Sequence, residues 1–110
     1  LKRMTAQRPV EDKKTIFATL ETVRNDLSTL GVVSIGLFGS FARGEQNDES
    51  DVDLLVEFEE EKRTFDNFMD LAFLLESLFG RKVEIITPEA MSPYILPTVL
   101  KEVELFHVAA

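Results

Sequence analysis

Asp51 and Asp53 stand two residues apart at the head of an apolar run, Leu54, Leu55 and Val56. On a strand, side chains two apart point to the same side, which sets these carboxylates on one face at roughly 6.5 to 7 Å along the backbone. Like charges so placed disfavour each other's ionisation unless a cation lies between them. A ligand set of oxygens alone suits a hard divalent ion, Mg²⁺ with Mn²⁺ as an alternative. The pair therefore suggests metal chemistry. The competing reading is that Ser50 and Asp51 cap a turn and Asp53 is merely solvated at a strand edge. An EF-hand loop is excluded, because Leu54, Leu55 and Val56 fill positions that would have to carry oxygen ligands and the turn glycine.

Gly39 and Ser40 follow directly on a second apolar run, residues 32–38. A glycine there permits close backbone approach, and a helix starting after it offers free N–H groups to phosphate oxygens, so the dipeptide is a candidate triphosphate cradle. Taken alone it reads equally as an ordinary strand-to-helix turn. Neither GxxxxGK[ST] nor GxGxxG occurs in the chain.

The elements that must position these residues can be read from periodicity. Apolar residues at Ile16, Phe17, Leu20, Val23, Leu27 and Leu30 give one face of a helix over residues 11–30, stopped by Gly31. Residues 32–38 read as a buried strand, and Ser40 to Gly44 as the start of a short helix. Residues 51–58 form a second strand, buried on both sides at Leu54 to Val56. Glu59 to Arg63 is a solvated connection. A helix over residues 64–79 ends at Gly80, a third strand covers residues 82–87, and a short helix covers residues 98–103 after a proline-punctuated stretch. The fold class is α/β: a single small domain in which helices cover a mixed β-sheet.

Composition narrows the function classes. At 110 residues the chain is long enough for one core, taken as a single domain over 1–110 with residues 1–10 flexible. The 45% hydrophobic content and nine phenylalanines indicate a globular protein. A formal charge of −8 disfavours stable nucleic-acid binding by this chain alone, because a phosphate backbone is held by Lys and Arg. It does not exclude a nucleotide brought in with divalent metal. The absence of cysteine removes thiolate and disulfide chemistry and permits a reducing compartment, with cytoplasm as the expectation. No apolar run approaches the roughly 20 residues of a membrane span.

The assembled string, a strand, Gly39-Ser40-Phe41-Ala42-Arg43-Gly44, then Ser50-Asp51-Val52-Asp53-Leu54-Leu55-Val56, resembles the signature of the polymerase-β-like nucleotidyltransferase superfamily. Within it, the chain is similar to the minimal nucleotidyltransferase family, the partners of HEPN toxins. The resemblance implies a palm-type nucleotidyltransferase domain, with a third carboxylate on the strand after the second long helix. Here that position is Glu84, within Val83-Glu84-Ile85-Ile86. Members of the wider superfamily commonly carry Asp there, and pattern alone would make Glu84 an exposed edge-strand residue.

On this resemblance Asp51, Asp53 and Glu84 are the catalytic and metal-holding residues, and Gly39 and Ser40 hold the β and γ phosphates. Arg43 either contacts the triphosphate or balances an acidic loop. The implied donor is ATP and the implied acceptor a tyrosine hydroxyl of a HEPN-domain toxin, which would make the chain an antitoxin. Two rivals stand beside it: a binding module that neutralises its partner by occlusion, and a transferase acting on a small molecule. The second is weakened by the want of a substrate domain. His107, the lone histidine, is expected to pack or face solvent.

Overall fold

The computed structural model describes residues 8–108. Most of the flexible start expected over residues 1–10 lies outside them. Val10, which belongs to that stretch, is docked instead: it is buried, and its N–H donates to the carbonyl of Phe79 at 2.9 Å.

Helix α1, Lys13–Thr22, is capped by Asp12, whose carboxylate accepts the N–H of Thr15 at 2.8 Å. It buries Ile16 and Leu20. The single helix expected over residues 11–30 breaks at Val23, where φ −117° and ψ 22° leave the helical region, and α2 continues over Arg24–Thr29. Two β-branched residues, Thr22 and Val23, meet at the break, and such residues lose rotamer freedom against a preceding helical turn. The bend lets Leu27 bury fully, and it aims Arg24 at the carbonyls of His107 and Val108, each 2.7 Å from its guanidinium.

Strand β1 spans Val32–Phe38, helix α3 Ser40–Arg43, and β2 Val52–Phe58. Helix α4, Phe65–Phe79, starts at the Thr64 cap and stops at Gly80 in the left-handed region, φ 65°. Then come β3, Val83–Ile86, and α5, Leu96–Glu102. A fourth strand absent from the sequence reading, β4, covers Glu104–His107. It is only four residues long and abuts a helix, so it lacks the length and the flanking turn signals from which a strand can be read.

The sheet order is β3-β2-β1-β4. Strand β1 pairs antiparallel with both β2 and β4, while β2 and β3 run parallel and are linked through α4, as a parallel pair requires a crossover. Alternation along the strands divides the residues between two faces. Ile35, Leu37, Leu54, Val56 and Ile85 join Ile16, Leu20, Leu71, Leu75 and Phe79 in one core with the long helices. The opposite face carries Ser34, Gly36, Asp53, Leu55, Glu57 and Glu84, as the pairs Gly36 with Leu55 and Asp53 with Glu84 require. Residue 103, which caps α5, lies on this second face: a Cβ on Gly36 would run into Val103 Cγ2.

Candidate active site

Strand β1 ends at Phe38, whose Cα partner on β2 is Asp53, and the chain turns at once through Gly39 into α3. Gly39 sits at φ 78°, ψ −154°, and a Cβ there would overlap Asp53 Oδ2. Both facts demand glycine, because L side chains rarely adopt this backbone and there is no room for one. Close backbone approach was expected there toward phosphate; what the Gly39 backbone approaches in this structure is the Asp53 carboxylate. Ser40 opens α3, Phe41 is buried beneath it, and Gly44 closes it at φ 72°.

Asp53 is half-buried and its carboxyl is pushed up to about 6. Burial is the largest cause, followed by the negative charges of Glu84 and Asp51. Arg43 acts in the opposite direction, and Glu102 adds a further upward push. The fold therefore brings Asp51, Asp53 and Glu84 within electrostatic reach of one another, with Asp53 and Glu84 directly paired across β2 and β3. Asp51 lies one residue ahead of β2, and Glu84 is exposed on the edge strand β3.

The donor set suits a divalent cation. It is all oxygen, it includes one carboxyl whose ionisation burial and like charge oppose, and a cation would relieve that opposition. Glycine at position 39 keeps the space beside Asp53 Oδ2 clear. Among the described residues, no three Asp, Glu, His or Cys side chains are already gathered around one point. Asp51, Asp53 and Glu84 are neighbours that must turn toward one another to share an ion.

Arg43 is held as an ion-pair residue. Its Nε donates to Glu45 Oε1 at 2.9 Å and its Nη1 to Glu102 Oε1 at 3.1 Å, and these two hydrogen bonds raise its pKa further. Glu102 also accepts the Gly39 N–H on Oε2 at 2.8 Å, and this backbone bond is the main reason its carboxyl titrates below the usual range. One of the amides expected to face phosphate is thus filled by a side chain from α5. The sequence reading did not find Glu102. The one available signal was an acidic residue in the last turn of a helix, where the macrodipole disfavours negative charge.

On the same sheet face lies a groove of about 350 Å³ lined by Ser34, Leu55, Glu57, Leu100 and Leu105 among others. Leu100 and Leu105 are 55% and 52% exposed, large values for leucine. His107 is exposed at the same groove, as a surface histidine. No helix of the described residues is long and apolar enough to cross a membrane.

The family model described as the nucleotidyltransferase domain matches residues 20–106. A Methanocaldococcus jannaschii protein assigned as a protein adenylyltransferase is 43% identical over 79 residues, 70% of this chain and 77% of that protein. The protein adenylyltransferase MntA of Thermococcus cleftensis is 44% identical over 73 residues, 66% of this chain and 73% of the other. Among solved structures, one assigned as a minimal nucleotidyltransferase superposes with a TM-score of 0.74 at 38% identity, over 86% of this chain and 95% of that one. A toxin–antitoxin structure with AMP-PNP superposes at 0.56 with 26% identity, over 74% of this chain and 70% of that one.

Proposed function

This chain belongs to the nucleotidyltransferase domain family, and from that premise we propose that it moves AMP from ATP to a tyrosine hydroxyl of a HEPN-type toxin in the cytoplasm, silencing the toxin. The observation that carries the reading is the placement of Asp53. A carboxyl half-buried against Gly39, with Asp51 and Glu84 adding like charge, opposes folding, and a cation-dependent reaction gives it a purpose.

In this reading the acceptor oxygen attacks the α-phosphorus in line. The new O–P bond forms as the bond to the β-phosphate bridge breaks, and pyrophosphate leaves. Asp51 and Asp53 would hold Mg²⁺ or Mn²⁺, with Glu84 either completing that set or taking the proton from the attacking hydroxyl. The cation supplies neutralisation of charge developing on the phosphates. Gly39 and Ser40 would bring their backbone to the β and γ phosphates once Glu102 gives up the Gly39 N–H, and Arg43 would exchange its ion pairs with Glu102 and Glu45 for a phosphate oxygen. The relatives named as protein adenylyltransferases support a protein acceptor. So does the exposed apolar groove along the same face as the carboxylates.

A second reading, neutralisation by occlusion with an idle site, is favoured by one observation: Glu102 already occupies Gly39 N–H and Arg43. Incubation of the chain with Mg²⁺, α-labelled ATP and the purified partner separates the two. Label on the partner with wild type and none with the Asp51→Asn, Asp53→Asn double variant is the expected outcome. No label, with equal suppression of the toxin by both forms, would replace transfer by occlusion.

A further inference from the structure

Arg81 belongs to no motif in the sequence, yet its guanidinium reaches four backbone carbonyls. It follows Gly80, the glycine that ends α4, and stands three residues before Glu84. Its Nη1 donates to three carbonyls of one turn: Asn47 at 3.0 Å, Asp48 at 3.2 Å and Ser50 at 3.0 Å. Its Nε donates to the carbonyl of Val10 at 2.7 Å. Its Cζ stands 5.1 Å from the ring centroid of Phe41, a buried residue of α3.

The turn it grips also closes on itself. Ser50 N–H donates to Asn47 O at 3.1 Å, Asn47 N–H to Ser50 Oγ at 2.9 Å and Glu49 N–H to Asn47 Oδ1 at 2.8 Å. Only the direction in which this rigid turn delivers Asp51 is left to be fixed. Both flanks of Asp51 are tied to the same dipeptide: Ser50 O to the Arg81 side chain, and Val52 N–H to Lys82 O at 3.0 Å. From a residue just ahead of the strand that carries Glu84, the planar fork thus reaches three segments: the turn that presents Asp51, the helix that follows Gly39, and Val10 ahead of α1. A lysine ammonium has neither the fork nor the flat face for the Phe41 ring.

We propose that Arg81 is a positioning residue of the transfer reaction, setting Asp51 against Asp53 and Glu84 and holding α3 in register with them. The proposal rests on the nucleotidyltransferase reading given above. It requires that loss of the guanidinium loosen the site while leaving the core in place, and that the reaction suffer in turnover more than in nucleotide binding.

Arg81→Lys and Arg81→Ala should be compared with wild type by amide hydrogen exchange and by steady-state transfer. The expected result for Arg81→Lys is exchange faster by about tenfold across residues 47–53, with peptides of α4 and β1 within about twofold of wild type. In the same variant kcat falls by about tenfold or more while KM for ATP stays within about threefold. Methylguanidinium in the millimolar range should restore part of the turnover of Arg81→Ala. Unchanged exchange at residues 47–53, or a rise spread evenly over the whole chain, would overturn the proposal, as would local loosening with full turnover. If wild type itself transfers nothing, the functional reading fails and takes the catalytic role with it, while local exchange still shows whether Arg81 holds the turn.

Discussion

Among the described residues Asp53 is the carboxyl displaced furthest from its ordinary pKa, and the sign of that displacement gives a measurable consequence. Its folded pKa of about 6 lies above the ordinary aspartate value of 3.8, so between these two values the native state binds more protons than the unfolded chain. The associated stability is present below pH 3.8 and is lost as pH rises through 6. Asp53→Asn should therefore stabilise the metal-free protein at pH 7 by about 1 kcal/mol, discounted for solvent screening of a half-exposed group. Urea titrations of variant and wild type at pH 7 and below pH 4 check this, with the gain absent in acid. Activity and stability are set against each other at this position. Asp51, Asp53 and Gly39 were legible in the sequence because strand alternation and a glycine after a strand are local signals. Glu102 and Arg81 were not: Glu102 meets Gly39 from 63 residues away and Arg81 meets Ser50 from 31, and no local signal names the partner of either.

The elements were legible where their periodicity is long or their ends are punctuated. Strand β1 and helix α4 lie where the pattern puts them, α4 with its Thr64 cap and its glycine stop. The break at Val23 and strand β4 were missed because both depend on tertiary contact, Leu27 reaching the core and β4 finding β1. Between β1 and the end of α5 the fit is tight. A Cβ on Gly36 would run into Val103 Cγ2 and crowd Leu105 Cδ2, so the position admits no side chain unless Val103, at the end of α5, gives way. Gly36→Ala is expected to destabilise by about 1 to 3 kcal/mol, the usual effect of overpacking. The same push should loosen Glu102 from Gly39, one residue before Val103. Chemical denaturation measures the first effect, and the amide signal of Gly39 in a heteronuclear NMR spectrum reports the second.

At the scale of the whole molecule, the chain carries a net charge of −8, and its fold has a radius of gyration of 13.6 Å. Self-repulsion of that kind weakens a compact state and is relieved by screening. The metal-free protein should melt at a higher temperature as NaCl rises from about 0.02 to about 0.3 M, the Debye length shrinking to below about 10 Å. Millimolar Mg²⁺ or Mn²⁺ should raise the melting temperature of wild type beyond the matched NaCl control and fail to do so for the Asp51→Asn, Asp53→Asn variant. Equal shifts in both proteins would place the ion elsewhere. The negative balance, read from composition, remains with the chain after folding, while the grouping of four of its carboxylates at one end of β2 is a product of topology.

Strand β1 takes its second neighbour from β4, so the sheet is completed by residues that lie about seventy positions downstream of the ones they pair with, as Ser34 and His107 do. Pairings of such separation form late, because the loop must close before they reward it. During synthesis on the ribosome the Gly39 loop, Asp51, Asp53 and Glu84 all emerge before α5 and β4 exist to brace β1, and Glu102 arrives with them. A nascent chain thus displays its acidic residues without the strand and side chain that set them. Without residues 96–107 the chain would keep the motif but lose both Glu102 and the strand that braces β1.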